Sequence, residues 1–471
     1  MTTRIEADLC VIGAGSGGLS VAAGAAQLGR KVVLIEKGEM GGDCLNYGCV
    51  PSKALIAAAA RADAMRRAGA FGVRSVEPDI DFPAVVDHVH SIIAAIAPHD
   101  SQERFESLGV TVIRARGEFA GPRTVRAGDA EIAAKHFVIA TGSSPFIPPI
   151  PGLDGVPYFT NETIFENRTR PDHLIVIGGG PIGVELAQAH RRLGARVTIV
   201  EAESILNRDD LEAVEVVRRA LIRDGVALHE KAKAARVERT DGGARVILDG
   251  GTMIDGSHLL IAVGRRANLE GLGLDRAGVE MDGRRLKLDD RLRTTNRRIF
   301  AIGDAAGGLQ FTHVAGDHAS TVVKNVLFKL PAKRRDDIAP RVTFCAPELA
   351  GVGLTEAEAR QRHGDVSVAR SSFEENDRAR ATRETEGFIK AVVGKGGRIL
   401  GATIVGEGAG EEIGLWAFAI ANGLKIKAMT ATIAPYPTRG EVSKRVGGAY
   451  FTPTLFSART RRLVKLLSIF D

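Results

Sequence analysis

The feature that most constrains this chain is a pattern that occurs twice. The first copy runs Ala7-Asp-Leu-Cys-Val-Ile-Gly-Ala-Gly-Ser-Gly-Gly18, continues through a helix-like Leu19–Leu28, and ends in Lys31-Val-Val-Leu-Ile-Glu36. The second runs His173-Leu-Ile-Val-Ile-Gly-Gly-Gly-Pro-Ile-Gly183, then a helix, then Arg196-Val-Thr-Ile-Val-Glu201. Gly13 to Glu36 and Gly178 to Glu201 span the same number of residues. An apolar strand, a glycine turn, a helix, a second strand and an acid make the dinucleotide-binding βαβ unit. Glycines at 13, 15 and 18, and at 178, 180 and 183, let the backbone approach a pyrophosphate, whose charge the helix N-terminus stabilises. Glu36 and Glu201 are placed to accept hydrogen bonds from ribose hydroxyls. A carboxylate there repels a 2′-phosphate, so Glu201 favours NADH over NADPH, with Arg208 nearby as an opposing charge.

Each copy has a later echo, His136-Phe-Val-Ile-Ala-Thr-Gly142 and His258-Leu-Leu-Ile-Ala-Val-Gly264, an apolar strand closing on glycine. Val-rich segments between them, roughly 109–135 and 226–257, read as small antiparallel insertions. A further strand, Arg298-Ile-Phe-Ala-Ile-Gly-Asp304, precedes a helix through residues 312–329. A polar linker, Pro331 to Pro340, leads to strands at Val342–Phe344, Gly387–Val393 and Ile399–Val405. Helices are expected at Thr355–Arg362 and Glu411–Asn422. The fold class is therefore α/β: two interlocked Rossmann-like domains, then an α+β domain. The 471 residues suit about three domains at ~150 residues each.

Composition narrows the class. Apolar residues at 44% and charged residues at 25% are those of an ordinary globular chain, which excludes disordered, fibrous and coiled-coil proteins. No apolar run reaches the ~18 residues of a membrane span. The first residues carry acids and no apolar signal region, so a cytoplasmic location is expected. The net charge of +6 sits almost wholly in the tail, where Lys444, Arg445, Arg459, Arg461, Arg462 and Lys465 face Asp471 alone. The near-neutral body gives no case for nucleic-acid binding.

Of the four cysteines, Cys10 and Cys345 lie in or after apolar runs and read as small buried hydrophobes. Cys44 and Cys49 stand in Gly41-Gly-Asp-Cys-Leu-Asn-Tyr-Gly-Cys-Val-Pro-Ser-Lys53, at the entry to a helix-like Ala54–Met65. Their spacing fits no common zinc site, and no second pair completes one, so no metal ligands are assigned. A thiol at a helix N-terminus has a depressed pKa and is readily a nucleophile or electron donor. Gly48 and Pro51 supply the distorted first turn that lets the two sulfurs meet.

With these residues in view, the sequence closely resembles the flavoprotein pyridine nucleotide–disulfide oxidoreductases, which include dihydrolipoyl dehydrogenase, glutathione reductase and mercuric reductase, as far as about Val446. The resemblance implies FAD at the first unit, NADH or NADPH at the second, and a redox-active Cys44–Cys49 disulfide. Cys44 would meet substrate and Cys49 would lie against the flavin. Lys53 would approach the flavin and pair with Glu185 of Gly183-Val-Glu185. Asp304 would bind the FAD ribityl and phosphate region, and Thr141-Gly142 would close on the FAD. Residues 1–151 and 271–339 form the expected FAD domain, 152–270 with Gly264 the NAD(P) domain, and 340–471 a dimerisation domain. A homodimer with active sites shared between subunits follows.

One departure stands out. Dihydrolipoyl dehydrogenases and glutathione reductases carry His-Pro-Thr here, followed two residues on by Glu, and the His protonates the leaving thiolate. This chain reads Tyr436-Pro-Thr-Arg-Gly-Glu441, and its last histidine is His363. A phenol with a pKa near ~10 is poorly matched to general base work at neutral pH. Mercuric reductases carry a Pro-Tyr dipeptide at this place, matching Pro435-Tyr436, but also a C-terminal cysteine pair that this chain lacks. The expected function is an NAD(P)H-dependent flavin–disulfide reductase, mercuric-reductase-like at Tyr436, acting on a metal ion, a disulfide or a quinone-like small molecule. A dihydrolipoyl dehydrogenase is the alternative within the class. A membrane-peripheral binding subunit with the flavin core as scaffold is the alternative from another class. The tail supports the latter: Leu463, Val464, Leu466, Leu467 and Phe470 group on one helix side, with Arg459, Arg462 and Lys465 near the other. Such a helix can lie on an anionic membrane or pack on its own dimer.

Overall fold

The computed structural model describes residues 3–470. The chain divides into two compact units: residues up to 178, 189–200 and 232–336 in one, and 179–188, 201–231 and 337 onward in the other.

The first unit is built on a seven-stranded sheet. Its centre is Thr3–Ile12, paired in parallel with Val32–Glu36 on one side and Ala130–Ile139 on the other. Residues 32–35 and the strand ends 9–12 and 137–139 are buried apolar runs because both sheet faces are covered there, as parallel sheets require. Val110–Arg114 extends the parallel half beside Val32–Glu36. This corrects the expectation of an antiparallel insertion from residue 109: only Gly117–Gly121 and Thr124–Ala127 form the antiparallel part, joined to the start of Ala130–Ile139. The end of that same long strand pairs in parallel with Ile299–Ala301, so the chain returns to this sheet late. Phe137, Val138 and Ile139 are fully buried at that junction. A second parallel group centres on His173–Ile177, flanked by Arg196–Glu201 and His258–Ile261. The three-stranded antiparallel piece beside it runs from Ala234–Thr240 to Met253–Gly256. Val226–Glu230 belongs to a different sheet, a second correction to the insertion expected from residue 226.

Two elements begin earlier than their sequence pattern suggests. The helix after the first glycine loop is Ser16–Gln27, and the one after the cysteines is Cys49–Arg67. The latter opens at the cysteine itself, with Pro51 in its first turn, where a missing N–H costs nothing. The helix Phe82–Ile96, capped by the Asp81 carboxylate on Ala84 N–H, was not anticipated.

The second unit holds a five-stranded sheet in the order Arg341–Thr343, Glu348–Gly353, Ile399–Gly406, Phe388–Val393, Ser367–Ser372, antiparallel throughout. Two of these strands, at 348 and 367, add to the three expected. The helix Ala409–Ala421 lies on the sheet and buries Trp416, whose indole N–H donates to Ser443 Oγ at 3.0 Å. A buried indole N–H needs such a partner. Beyond Glu441–Leu455 the helix Ala458–Leu467 buries none of its residues.

Candidate active site

The two glycine loops are built alike. Gly13 and Gly178 have φ of 111° and 113°, and a Cβ on either would strike a backbone carbonyl, Ala140 O at 2.2 Å or Ala262 O at 2.4 Å. Gly15 and Gly180 instead face open space: a Cβ on Gly15 would find its nearest neighbour at 4.0 Å, and one on Gly180 nothing within 4 Å. One glycine thus seats the loop against the neighbouring strand, and the other leaves the helix N-terminus uncovered. The acids close the loops in the same way. Glu36 Oε2 accepts the Ala14 N–H at 2.6 Å, and Glu201 Oε2 accepts the Gly179 N–H at 2.6 Å. The other oxygen accepts from Gly38 N in one and Glu203 N in the other. Each carboxylate oxygen keeps lone pairs for a ribose hydroxyl. Beside Gly13, Glu36 and Thr141 lies a cavity of about 320 Å³. An uncovered helix N-terminus, a fixed carboxylate and an adjoining cavity fit a dinucleotide.

The cysteines meet. The Cys44 and Cys49 thiols share a hydrogen bond, which, with burial, pushes the Cys44 pKa up. The hydroxyls of Thr312 and Ser16 pull it down. Ser16 opens the helix of the first glycine loop, so the sulfur pair sits against the dinucleotide cradle. Cys49 Sγ lies 3.6 Å from Thr312 Oγ1. The short helix Gly42–Asn46 carries Cys44, and Gly48 joins it to the helix beginning at Cys49. Cys10 and Cys345 are buried, as expected.

Lys53 Nζ lies 3.3 Å from Ser52 Oγ, and the buried Glu185 accepts the Phe344 N–H at 2.9 Å through Oε1. Asp304 is half-buried and accepts from Ser143 Oγ at 2.5 Å; desolvation raises its pKa. Thr141 Oγ1 donates to Asn268 O at 2.7 Å, fixing the strand end that precedes Gly142.

Tyr436 is 70% exposed. Its hydroxyl donates to Asp377 Oδ2 at 2.9 Å, and that carboxylate raises the phenol pKa. Glu441 accepts from Arg445 through Oε1, while its Oε2 is buried with no hydrogen-bond partner among the described residues. Glu441 reaches Tyr436 only through its charge.

Sequence reasoning passed over Arg265, Ser143, Asn161, Thr312 and Asp377. All five act through contacts between residues far apart in the chain, and none belongs to a spaced motif. Asp43 stood inside the quoted cysteine segment, but nothing local showed what its carboxylate meets. Among the described residues no cluster of His, Cys, Asp and Glu could hold a metal ion, and no helix is long and apolar enough to cross a membrane.

Comparison with known proteins agrees with this arrangement. Residues 7–319 match the family model described as pyridine nucleotide-disulphide oxidoreductase, and residues 339–446 match its dimerisation domain. A mercuric reductase of Streptomyces lividans is 36% identical over 448 residues, covering 93% of this chain and 94% of that protein. A dihydrolipoyl dehydrogenase of Geobacillus stearothermophilus is 34% identical over 450 residues, covering 93% and 95%. Among solved structures, LpdA from Mycobacterium tuberculosis superposes with a TM-score of 0.87 at 29% identity, covering 95% of this chain and 99% of that one. The Cu(II) complex of the HOCl-induced flavoprotein disulfide reductase RclA from Escherichia coli gives 0.84 at 28% identity, covering 93% and 98%.

Proposed function

Because the chain belongs to the pyridine nucleotide–disulphide oxidoreductase family, we propose that it carries electrons from a nicotinamide coenzyme through FAD to the Cys44–Cys49 pair and on to an acceptor that needs no histidine base. The family is FAD-dependent with NAD(P)H as donor, and this chain is an FAD-dependent NAD(P)H oxidoreductase. Its match to the dimerisation domain supports a homodimer. The observation that carries the reading is the hydrogen-bonded sulfur pair resting on Ser16 at the mouth of the first glycine loop.

Gly13, Gly15, Gly18, Glu36, Thr141, Gly142 and Asp304 would hold FAD, within residues 1–151 and 271–339. Gly178, Gly180, Gly183, Glu201 and Gly264 would hold the nicotinamide coenzyme, within 152–270. Bound flavin supplies a two-electron relay between hydride donor and disulfide. The chain's own groups do the rest. A lysine ammonium near a reduced pair favours its thiolate form, and Lys53, with Glu185 as counter-charge, is assigned this role. Toward a disulfide acceptor, the Cys44 thiolate attacks one sulfur and the other leaves as a thiolate that needs a proton. Cys49 then displaces the bound half and closes the Cys44–Cys49 disulfide.

That departing thiolate is where this chain differs. Residues 340–471 would present Tyr436 to the partner's site, and a phenol whose proton is held by Asp377 is a poor donor and a poorer base at neutral pH. A metal ion accepting two electrons needs no such proton. One curated relative is named mercuric reductase, and one structural neighbour is a Cu(II) complex; both support a metal-ion acceptor. Steady-state turnover of the holoenzyme on Hg(II), Cu(II), lipoamide, glutathione disulfide and quinones tests the reading. Lipoamide turnover at the pace of an ordinary dihydrolipoyl dehydrogenase would overturn it in favour of that enzyme. For the tail, the exposed Leu463, Val464, Leu466 and Leu467 beside four basic residues support a second reading, contact with an anionic membrane. Cosedimentation with anionic vesicles checks it.

A further inference from the structure

Asp43 directly precedes Cys44, and its carboxylate, though its side chain is 36% exposed, is held by two partners. Oδ1 accepts from Arg265 Nη2 at 2.8 Å and from Asn161 Nδ2 at 3.2 Å. Oδ2 occupies space that a side chain at residue 48 would need: a Cβ on Gly48 would lie 2.9 Å from it. The negative charge therefore lies against the turn that joins the two cysteines. Arg265, whose side chain is 9% exposed, does more than neutralise it. Its Nε donates to Ser143 Oγ at 2.7 Å, its Nη2 to Ser143 O at 2.8 Å, and its Nη1 to Asn161 Oδ1 at 3.0 Å. Ser143 Oγ in turn donates to Asp304. A continuous chain of hydrogen bonds thus runs from Asp304, beside the dinucleotide cradle, through Ser143 and Arg265 to Asp43 at the cysteine turn. The planar guanidinium fork, with every bond assigned to a different direction, is what such a junction requires.

We propose that the Asp43–Arg265 ion pair positions the redox turn and sets the reactivity of its thiols. Asp43 places a charge that opposes thiolate formation, and Arg265 cancels that charge while tying the turn to Asp304. The inference rests on the reading of Cys44–Cys49 as the redox pair. The titratable and charged groups around the turn are the carboxyls of Asp43, Asp304 and Glu162, the Arg265 guanidinium, the Lys53 ammonium and the Tyr47 phenol, with Lys37, Glu39 and Glu166 acting on Glu162 or Tyr47 through their charge. Burial raises the pKa of both Asp304 and Glu162, and in each Arg265 acts against the rise while Asp43 adds to it. The two residues thus already act in opposition at two neighbouring groups.

The test is the pH dependence of iodoacetamide alkylation in the reduced holoenzyme, read at Cys44 and Cys49 by peptide mass spectrometry. The thiolate displaces iodide and forms a thioether, so the rate follows the thiolate fraction. Arg265→Gln leaves Asp43 uncompensated and moves the midpoint up. Asp43→Asn leaves the guanidinium uncompensated and moves it down. Each shift is about one pH unit, read as a roughly tenfold change in rate on the rising limb. The double variant returns toward wild type. A merely structural role would move both single variants the same way, and that result, or no shift, overturns the proposal. If Arg265→Gln does not fold, the near-isosteric Asp43→Asn decides alone: a downward shift supports the proposal, and an unchanged or upward one overturns it. Failure of the underlying reading looks different, because air-oxidised wild type would then give no Cys44–Cys49 disulfide on peptide mapping.

Discussion

The cysteine turn and the Tyr436 segment are both candidate chemistry, and the protein treats them in opposite ways. Around Cys44 and Cys49 it places Ser16, Thr312, Asp43 and, through Asp43, Arg265, so the geometry is held by several elements at once. Tyr436 stands 70% exposed with one hydrogen bond, to Asp377. A multiply bonded group tolerates little change, because removing one partner leaves others unsatisfied. An exposed group with one partner can be exchanged at small cost to the fold. On the proposed function, the turn would carry electron transfer and the segment at 436 acceptor choice.

The largest expected effect comes from the turn. Cys44→Ser and Cys49→Ser should each abolish turnover on every acceptor that requires the dithiol, with FAD still bound. Cys49→Ser should also remove the long-wavelength absorption of the two-electron-reduced holoenzyme. Persistence of that band in Cys49→Ser would mean that the other sulfur faces the flavin. The next effect belongs to the exposed segment. Tyr436→His introduces an imidazole beside Asp377 and should raise lipoamide turnover by about 10²-fold or more, the usual contribution of a positioned acid–base. Hg(II) turnover should fall in the same variant. A loss of folding in Tyr436→His would break the contrast, since it would show the segment to be as constrained as the turn.

The acceptor reaction should also report the state of the phenol. Asp377 raises the Tyr436 pKa above its ordinary value near ~10, so the group stays neutral through neutral pH. Turnover should therefore show no rising limb from phenolate between about pH 6 and 9. Asp377→Asn removes the raising charge and brings ionisation down toward the ordinary value, which ultraviolet titration of the phenol checks. The smallest effect lies outside both regions and serves as their control. Glu201 should make kcat/KM higher with NADH than with NADPH, and Glu201→Gln should narrow the ratio by about tenfold through loss of charge repulsion. Acceptor preference should not move with it.

What was legible in the sequence follows the range of each interaction. The glycine loops were readable because their parts lie within one βαβ unit: Gly13 and Glu36, or Gly178 and Glu201, meet through local backbone. The cysteine turn was readable for the same reason, and its distorted helix start fits Gly48 and Pro51. Val110–Arg114 was misassigned because alternating Val and Thr mark a strand without naming its neighbour. Arg265 was invisible because its bond to Asp43 spans 222 residues. Asp377 reaches Tyr436 across 59 residues, so the residue that accepts from the phenol could not be read from the local segment.

The most direct test of the account is an anaerobic NADH titration of the FAD-loaded protein, run beside Cys49→Ser. If Cys44–Cys49 is the electron store between flavin and acceptor, wild type should take up one more NADH per flavin than the variant. The extra equivalent should appear as two additional thiols that discharge to Hg(II) faster than to lipoamide. Equal uptake by the two proteins, with no new thiols in wild type, would contradict the account.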